Sequence, residues 1–135
     1  MSNSLLKEFR FKIGEQYELN EFNLKSLEST FSNGLEYENY EYIKGDFKTL
    51  FGIPFSRNVI LQYNGDILCR VTYRFVLEDL DNLFQELNNY LTLDKKLIRE
   101  KLDLGKTFTI FRFKEFNLSL NIARDLELSA FKFLG

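Results

Sequence analysis

The stretch RNVILQYNGDILCRVTYRF, residues 57–75, decides the fold. Apolar and polar residues alternate on both sides of Tyr63-Asn64-Gly65, so 57–62 and 66–75 read as two strands of a β-hairpin. Two registers compete. A two-residue Asn-Gly turn pairs Tyr63 with Asp66. A three-residue loop with Gly65 in the left-handed region pairs Gln62 with Asp66. The second sets Leu61 against Ile67 and Val59 against Cys69, which makes one face apolar on both strands. A one-residue slip flips every side chain, so burial favours the three-residue loop. The other face then carries Leu68, Arg70, Thr72 and Arg74.

Downstream the period changes. Leu77, Leu80, Leu83, Phe84, Leu87, Tyr90 and Leu91 recur at helical spacing, with Glu78, Asp79 and Asp81 where a helix N-terminus favours anions. This predicts an amphipathic helix over 77–91. Asp94 can cap a second helix over about 94–104, carrying Leu97, Ile98 and Leu102 and ended by Gly105. Three strands follow, at about 106–114, 117–123 and 126–134, with turn-like links that suggest an antiparallel meander. Upstream, alternation over 8–13 predicts a strand burying Phe9, Phe11 and Ile13. Leu24, Leu27 and Phe31 suggest a short helix over 23–32, ended by Asn33-Gly34. Residues 35–43 read as extended. Residues 45–56, with Gly45, Gly52 and the only proline, Pro54, read as a connection with one helical turn around 47–51. Strands broken by one helical segment predict an α+β fold, an antiparallel β-sheet with helices packed on one face. At this length, residues 1–135 are expected to form a single domain.

The chain has no histidine and one cysteine, Cys69. Histidine bases, Ser-His-Asp or Cys-His pairs and the usual zinc sites all need side chains it lacks. Dinucleotide, phosphate-loop, nucleophile-elbow and calcium-loop motifs are missing as well. The expectation is therefore a chain that is not an enzyme and carries no cofactor and no metal. An enzyme built only on carboxylates, such as a pair from Glu36, Glu38 and Glu41, is the second alternative. Cys69 falls on a predicted inward face, where a cysteine acts as a small hydrophobe. With no apolar leader and no run long enough to span a bilayer, a cytoplasmic location without membrane contact is expected.

The net charge of −2 conceals a segregation. Residues 15–46 carry eight acids against Lys25 and Lys44, a net −6, whereas 1–14 and 47–135 are each net +2. That sign argues against nucleic acid as a partner. Within the acidic segment, Glu36, Tyr37, Glu38, Tyr40, Glu41 and Tyr42 interleave glutamate with tyrosine. Tyrosine is enriched at protein interfaces, and interleaved glutamates would steer a basic partner. The plain alternative is an edge strand whose rings cover the core.

Arg70, Thr72 and Arg74 form an alternative anion-binding face, with Arg57 and Arg112 as neighbours to consider. Alternation alone also accounts for it as the polar side of a half-buried sheet. The favoured function is a binding protein that neutralises or regulates a protein partner, in its most concrete form a bacterial immunity protein against a basic toxin domain. A homodimer is compatible with the same composition. The first alternative is a carrier or sensor of a small apolar or anionic ligand in a pocket between sheet and helices, where Phe108, Phe111, Phe113, Phe131 and Phe133 would suit an apolar guest.

Overall fold

A computed structural model of the chain describes residues 5, 7–91, 108–113 and 115–132. Its centre is the hairpin of β6 (Ile60–Asn64) and β7 (Ile67–Phe75). The connection is neither expected loop. Gly65 (φ 56) and Asp66 (φ 67) make a two-residue turn that pairs Asn64 with Ile67 and Tyr63 with Leu68. The register then shifts, so that Gln62 pairs with Arg70 and Cys69 is left over as a β-bulge. The physical reason is burial. The extra residue restores parity, letting Leu68 and Val71 face the core opposite Tyr63 and Leu61, all at most 1% exposed. Two further expectations are corrected: Leu68 belongs to the core, and Ile67 is 41% exposed. Arg70, Thr72 and Arg74 do share the opposite face.

The rest of the sheet is antiparallel. β8 (Phe108–Arg112), β9 (Asn117–Ile122) and β10 (Leu126–Phe131) form the expected meander, which returns so that β10 pairs with β7. On the other side β6 pairs with β3 (Leu35–Tyr42), which confirms the extended reading of 35–43. Beyond β3 lie β1 (Leu24–Ser26) and β2 (Thr30–Ser32), both paired with it. β3 is therefore not an edge strand. The helix expected over 23–32 is absent. Of its supposed stripe only Leu24 packs against the core, while Phe31 is 74% and Leu27 38% exposed, so no continuous apolar face is buried there to support a helix. Asn33 (φ 52) and Gly34 (φ 78) form a two-residue hairpin turn that pairs Ser32 with Leu35.

One face of this sheet is the core. α1 (Leu80–Asn88), entered through a 3-10 turn at Leu77–Asp79, contributes Leu80, Leu83, Phe84 and Leu87 to it, as the periodicity of 77–91 predicts. The helix expected over 94–104 lies outside the described residues, as does Phe133.

Residues 8–13 bury Phe9 and Phe11 but form no strand. Phe9 stacks on Tyr73 at 5.7 Å while Phe11 meets Tyr42 at 4.8 Å, so the segment crosses the core face and splays its rings. Pairing begins only after it, where Gly14 N donates to Leu68 O and Leu68 N to Glu15 O, each at 2.8 Å. The helical turn expected around 47–51 is instead a small hairpin of β4 (Thr49–Leu50) and β5 (Ile53–Pro54), turned by Phe51 (φ 55) and Gly52 (φ 77). Burial of Leu50 and Ile53 on the core drives that choice.

Candidate functional sites on two faces of the sheet

The six Tyr/Glu positions of β3 do not share one surface. Glu36, Glu38, Tyr40 and Tyr42 point to the core side of the sheet, and Tyr37 and Glu41 to the other, as strand alternation requires. Tyr42 is buried, 3% exposed, and its hydroxyl donates to Asp46 Oδ1 at 2.7 Å. Tyr40 is half-buried in a ring cluster with Tyr17 and Tyr63, at 5.1 and 5.7 Å. Its hydroxyl donates to Glu38 Oε2 at 2.9 Å. Burial first, and the Glu38 carboxylate second, hold that hydroxyl above the ordinary tyrosine range.

Glu36, Glu38 and Tyr40 do come together, along a groove of about 280 Å³ completed by Ser26, Leu27, Ser29 and Asn39. The groove exists because the outer row is broken. Residues 27–29 step away between β1 and β2, and Asn39 bridges the gap. Leu27 N donates to Asn39 O at 2.9 Å, and Asn39 Nδ2 donates to Glu28 O at 3.0 Å and Thr30 Oγ1 at 3.2 Å. Its Oδ1 accepts from Gln62 Nε2 at 2.9 Å, tying in β6. Sequence reasoning missed Asn39. The signal was a strand-averse amide inside an otherwise Tyr/Glu strand.

Neither Glu36 nor Glu38 has a cationic partner among the described residues; Arg10–Asp46 at 2.7 Å and Lys44–Asp46 at 3.8 Å pair elsewhere. Exposed apolar side chains crowd the same segment. Of the ten large hydrophobics exposed among the described residues, six fall within 19–43: Leu19, Phe22, Leu27, Phe31, Leu35 and Ile43. That concentration marks this region of the chain, not the surface at large. Phe22 is 91% exposed, and Phe31 stands directly opposite Glu36 in the β2–β3 pairing.

The second region lies on the other face. Arg70, from β7, lines a pocket of about 310 Å³ with Thr30, Ser32, Asn33, Tyr37, Gln62, Cys69, Phe131 and Lys132. The guanidinium carbon sits 4.2 Å over the Phe131 ring. Burial pulls its pKa down from the ordinary arginine value. Thr72 and Arg74 share the face but not the pocket. The Thr72 hydroxyl is 2.9 Å from Ser129 Oγ, and Arg74 Nη2 donates to Asn58 O at 2.9 Å. Arg57 lies near Arg74, because Ser56 N donates to Arg74 O at 2.8 Å. Arg112 is on β8, three strands from β7. Cys69 is buried, donates to Gln62 O at 3.3 Å, and has a thiol pKa raised by burial.

Of the rings expected to line one apolar cavity, Phe111, Phe113 and Phe131 do not meet. Phe111 is core, half-buried Phe113 stacks on Phe116 at 4.9 Å, and Phe131 faces Arg70. Among the described residues no group of three His, Cys, Asp or Glu side chains could hold a metal, and no helix is long and apolar enough to cross a membrane. No protein-family model, curated protein or solved structure matches this chain.

Proposed function

We propose that this chain is a non-catalytic binding module that docks a basic protein partner through residues 15–46. The observation that carries the reading is a coincidence: exposed Phe22 and Phe31 occur in the segment that holds Glu36 and Glu38, which have no cationic partner among the described residues. Exposed aromatics supply the apolar contact that dominates interface energetics, and carboxylates without internal cations remain free to pair with Lys or Arg of a partner. The groove beside Asn39 would receive one such side chain. On this reading the sheet is the frame of an α+β domain with its helices gathered on one face, and its most concrete role is an inhibitor covering the basic working surface of a toxin domain.

The test is differential capture from a lysate of the host. The wild-type chain is compared with a Phe22→Ser/Phe31→Ser variant and a Glu36→Lys/Glu38→Lys variant. The expected result is a basic protein retained near one-to-one by the wild type, released by salt, and lost from both variants. Equal retention by all three, or retention of nothing, contradicts the proposal.

A further inference from the structure

We propose that the Arg70 pocket is a binding site for a small phosphate-bearing molecule. A half-buried guanidinium ordinarily has a carboxylate beside it, because partial desolvation of an unpaired charge is costly. Arg70 has none among the described residues, and none of the nine residues lining the pocket is an acid. The absence of acids stands out because the pocket borders the segment that holds the chain's anionic excess.

The surroundings are donor-rich. Phe131 supports the guanidinium from one side at 4.2 Å, which fixes the fork and leaves its N–H groups for a ligand. Lys132 closes the rim through its backbone, whose N–H donates to Cys69 O at 3.2 Å beside the bulge. Hydroxyls come from Ser32, Tyr37 and Thr30, the last already accepting from Asn39 and so free to donate. A guanidinium fork and three hydroxyls suit the several oxygens of a tetrahedral phosphate better than a planar carboxylate. The volume of about 310 Å³ is at the small end of ligand pockets and has room for a sugar phosphate.

The pocket is built by two features absent from any local motif. The bulge at Cys69 re-aims Arg70, and the Asn33-Gly34 turn brings the β2–β3 hairpin over it. Strand alternation sets it on the face opposite the Glu36/Glu38 groove, so its failure would leave the protein-binding proposal standing.

The experiment is a two-dimensional NMR titration of the full chain with ribose 5-phosphate, inorganic phosphate and acetate in separate arms. The account expects saturable shifts of the Arg70 Nε–H and of the Ser32, Asn33 and Lys132 amides, with ribose 5-phosphate tightest and acetate weakest. Arg70→Gln should weaken binding about tenfold or more, in line with loss of a charge-assisted hydrogen bond. Arg70→Lys, which keeps the charge and loses the fork, should fall between; it also serves if the glutamine variant folds poorly. Tyr37→Phe should weaken phosphate binding by a smaller factor. Absence of saturable shifts, acetate binding as well as the phosphates, or equal affinity in the Arg70 variants would overturn the proposal.

Discussion

The Tyr42 hydroxyl donates to Asp46 Oδ1 at 2.7 Å while Arg10 Nη2 holds Oδ2 of the same carboxylate at 2.7 Å. One aspartate thus ties the end of β3 to the N-terminal segment that crosses the core face. The Tyr42 hydrogen bond first, and Arg10 after it, lower the Asp46 pKa against the opposing effect of desolvation. A carboxyl whose folded pKa is depressed stabilises the fold above its unfolded value, about 3.9, and loses that contribution as pH falls through the folded value. Asp46→Asn should therefore lower the melting temperature modestly at neutral pH and leave a shallower acid limb below about pH 4. Melting curves from pH 7 to pH 2 check this; parallel acid limbs in the two proteins would refute it.

Tyr73 offers a second test. It is fully buried, stacked on Phe9 and Phe55 at 5.7 Å each, and its hydroxyl has no hydrogen-bond partner among the described residues. Its ring stabilises and its hydroxyl costs. Tyr73→Phe should leave stability unchanged or raise it by about 1 kcal/mol, whereas Tyr73→Ala should cost about 3–5 kcal/mol. Urea denaturation of both variants separates the two effects.

Turn chemistry gives a third. Gly34 at φ 78 occupies a conformation that side chains rarely adopt, although nothing lies within 4 Å of an added Cβ. Gly34→Ala should cost about 1–2 kcal/mol from backbone strain alone. Gly45→Ala, without a positive φ and with only the Lys48 side chain at 3.6 Å, should be near neutral. Equal effects at the two positions would contradict this reading of the β2–β3 turn.

These turns also mark where the sequence was legible. Leu80, Leu83, Phe84 and Leu87 announced α1 because one helical face is buried, and Leu118, Leu120 and Ile122 announced β9 because one strand face is. Asn33-Gly34 misled because the same dipeptide ends helices and turns hairpins, and the difference lies in whether Leu27 and Phe31 find a core. The bulge at Cys69 was invisible because local alternation treats parity as unbroken. Glu36, Glu38, Arg70 and Arg74 were legible as residues of interest. The groove beside Glu36 and Glu38 depended on the break at 27–29, and the pocket around Arg70, which leaves Arg74 out, on the hairpin reaching over β7; both are long-range facts.

Cys69 carries a fourth prediction. A thiol that is 5% exposed, donates to Gln62 O and is raised by burial should react slowly. Labelling by an aromatic disulfide reagent at pH 8 should be slower than in denaturant by about an order of magnitude or more. A native rate close to the denatured one would show that the bulge opens readily.

Site-specific photo-crosslinking in the host tests the central claim most directly. A photoreactive phenylalanine analogue is placed at Phe31, opposite Glu36, and in a second chain at Val76, which is 43% exposed before α1. The account predicts a discrete adduct with a basic protein from position 31, none from position 76, and loss of the adduct when Glu36→Lys and Glu38→Lys are added. Adducts from both positions alike, an adduct only with a second copy of this chain, or no adduct at position 31 would contradict it.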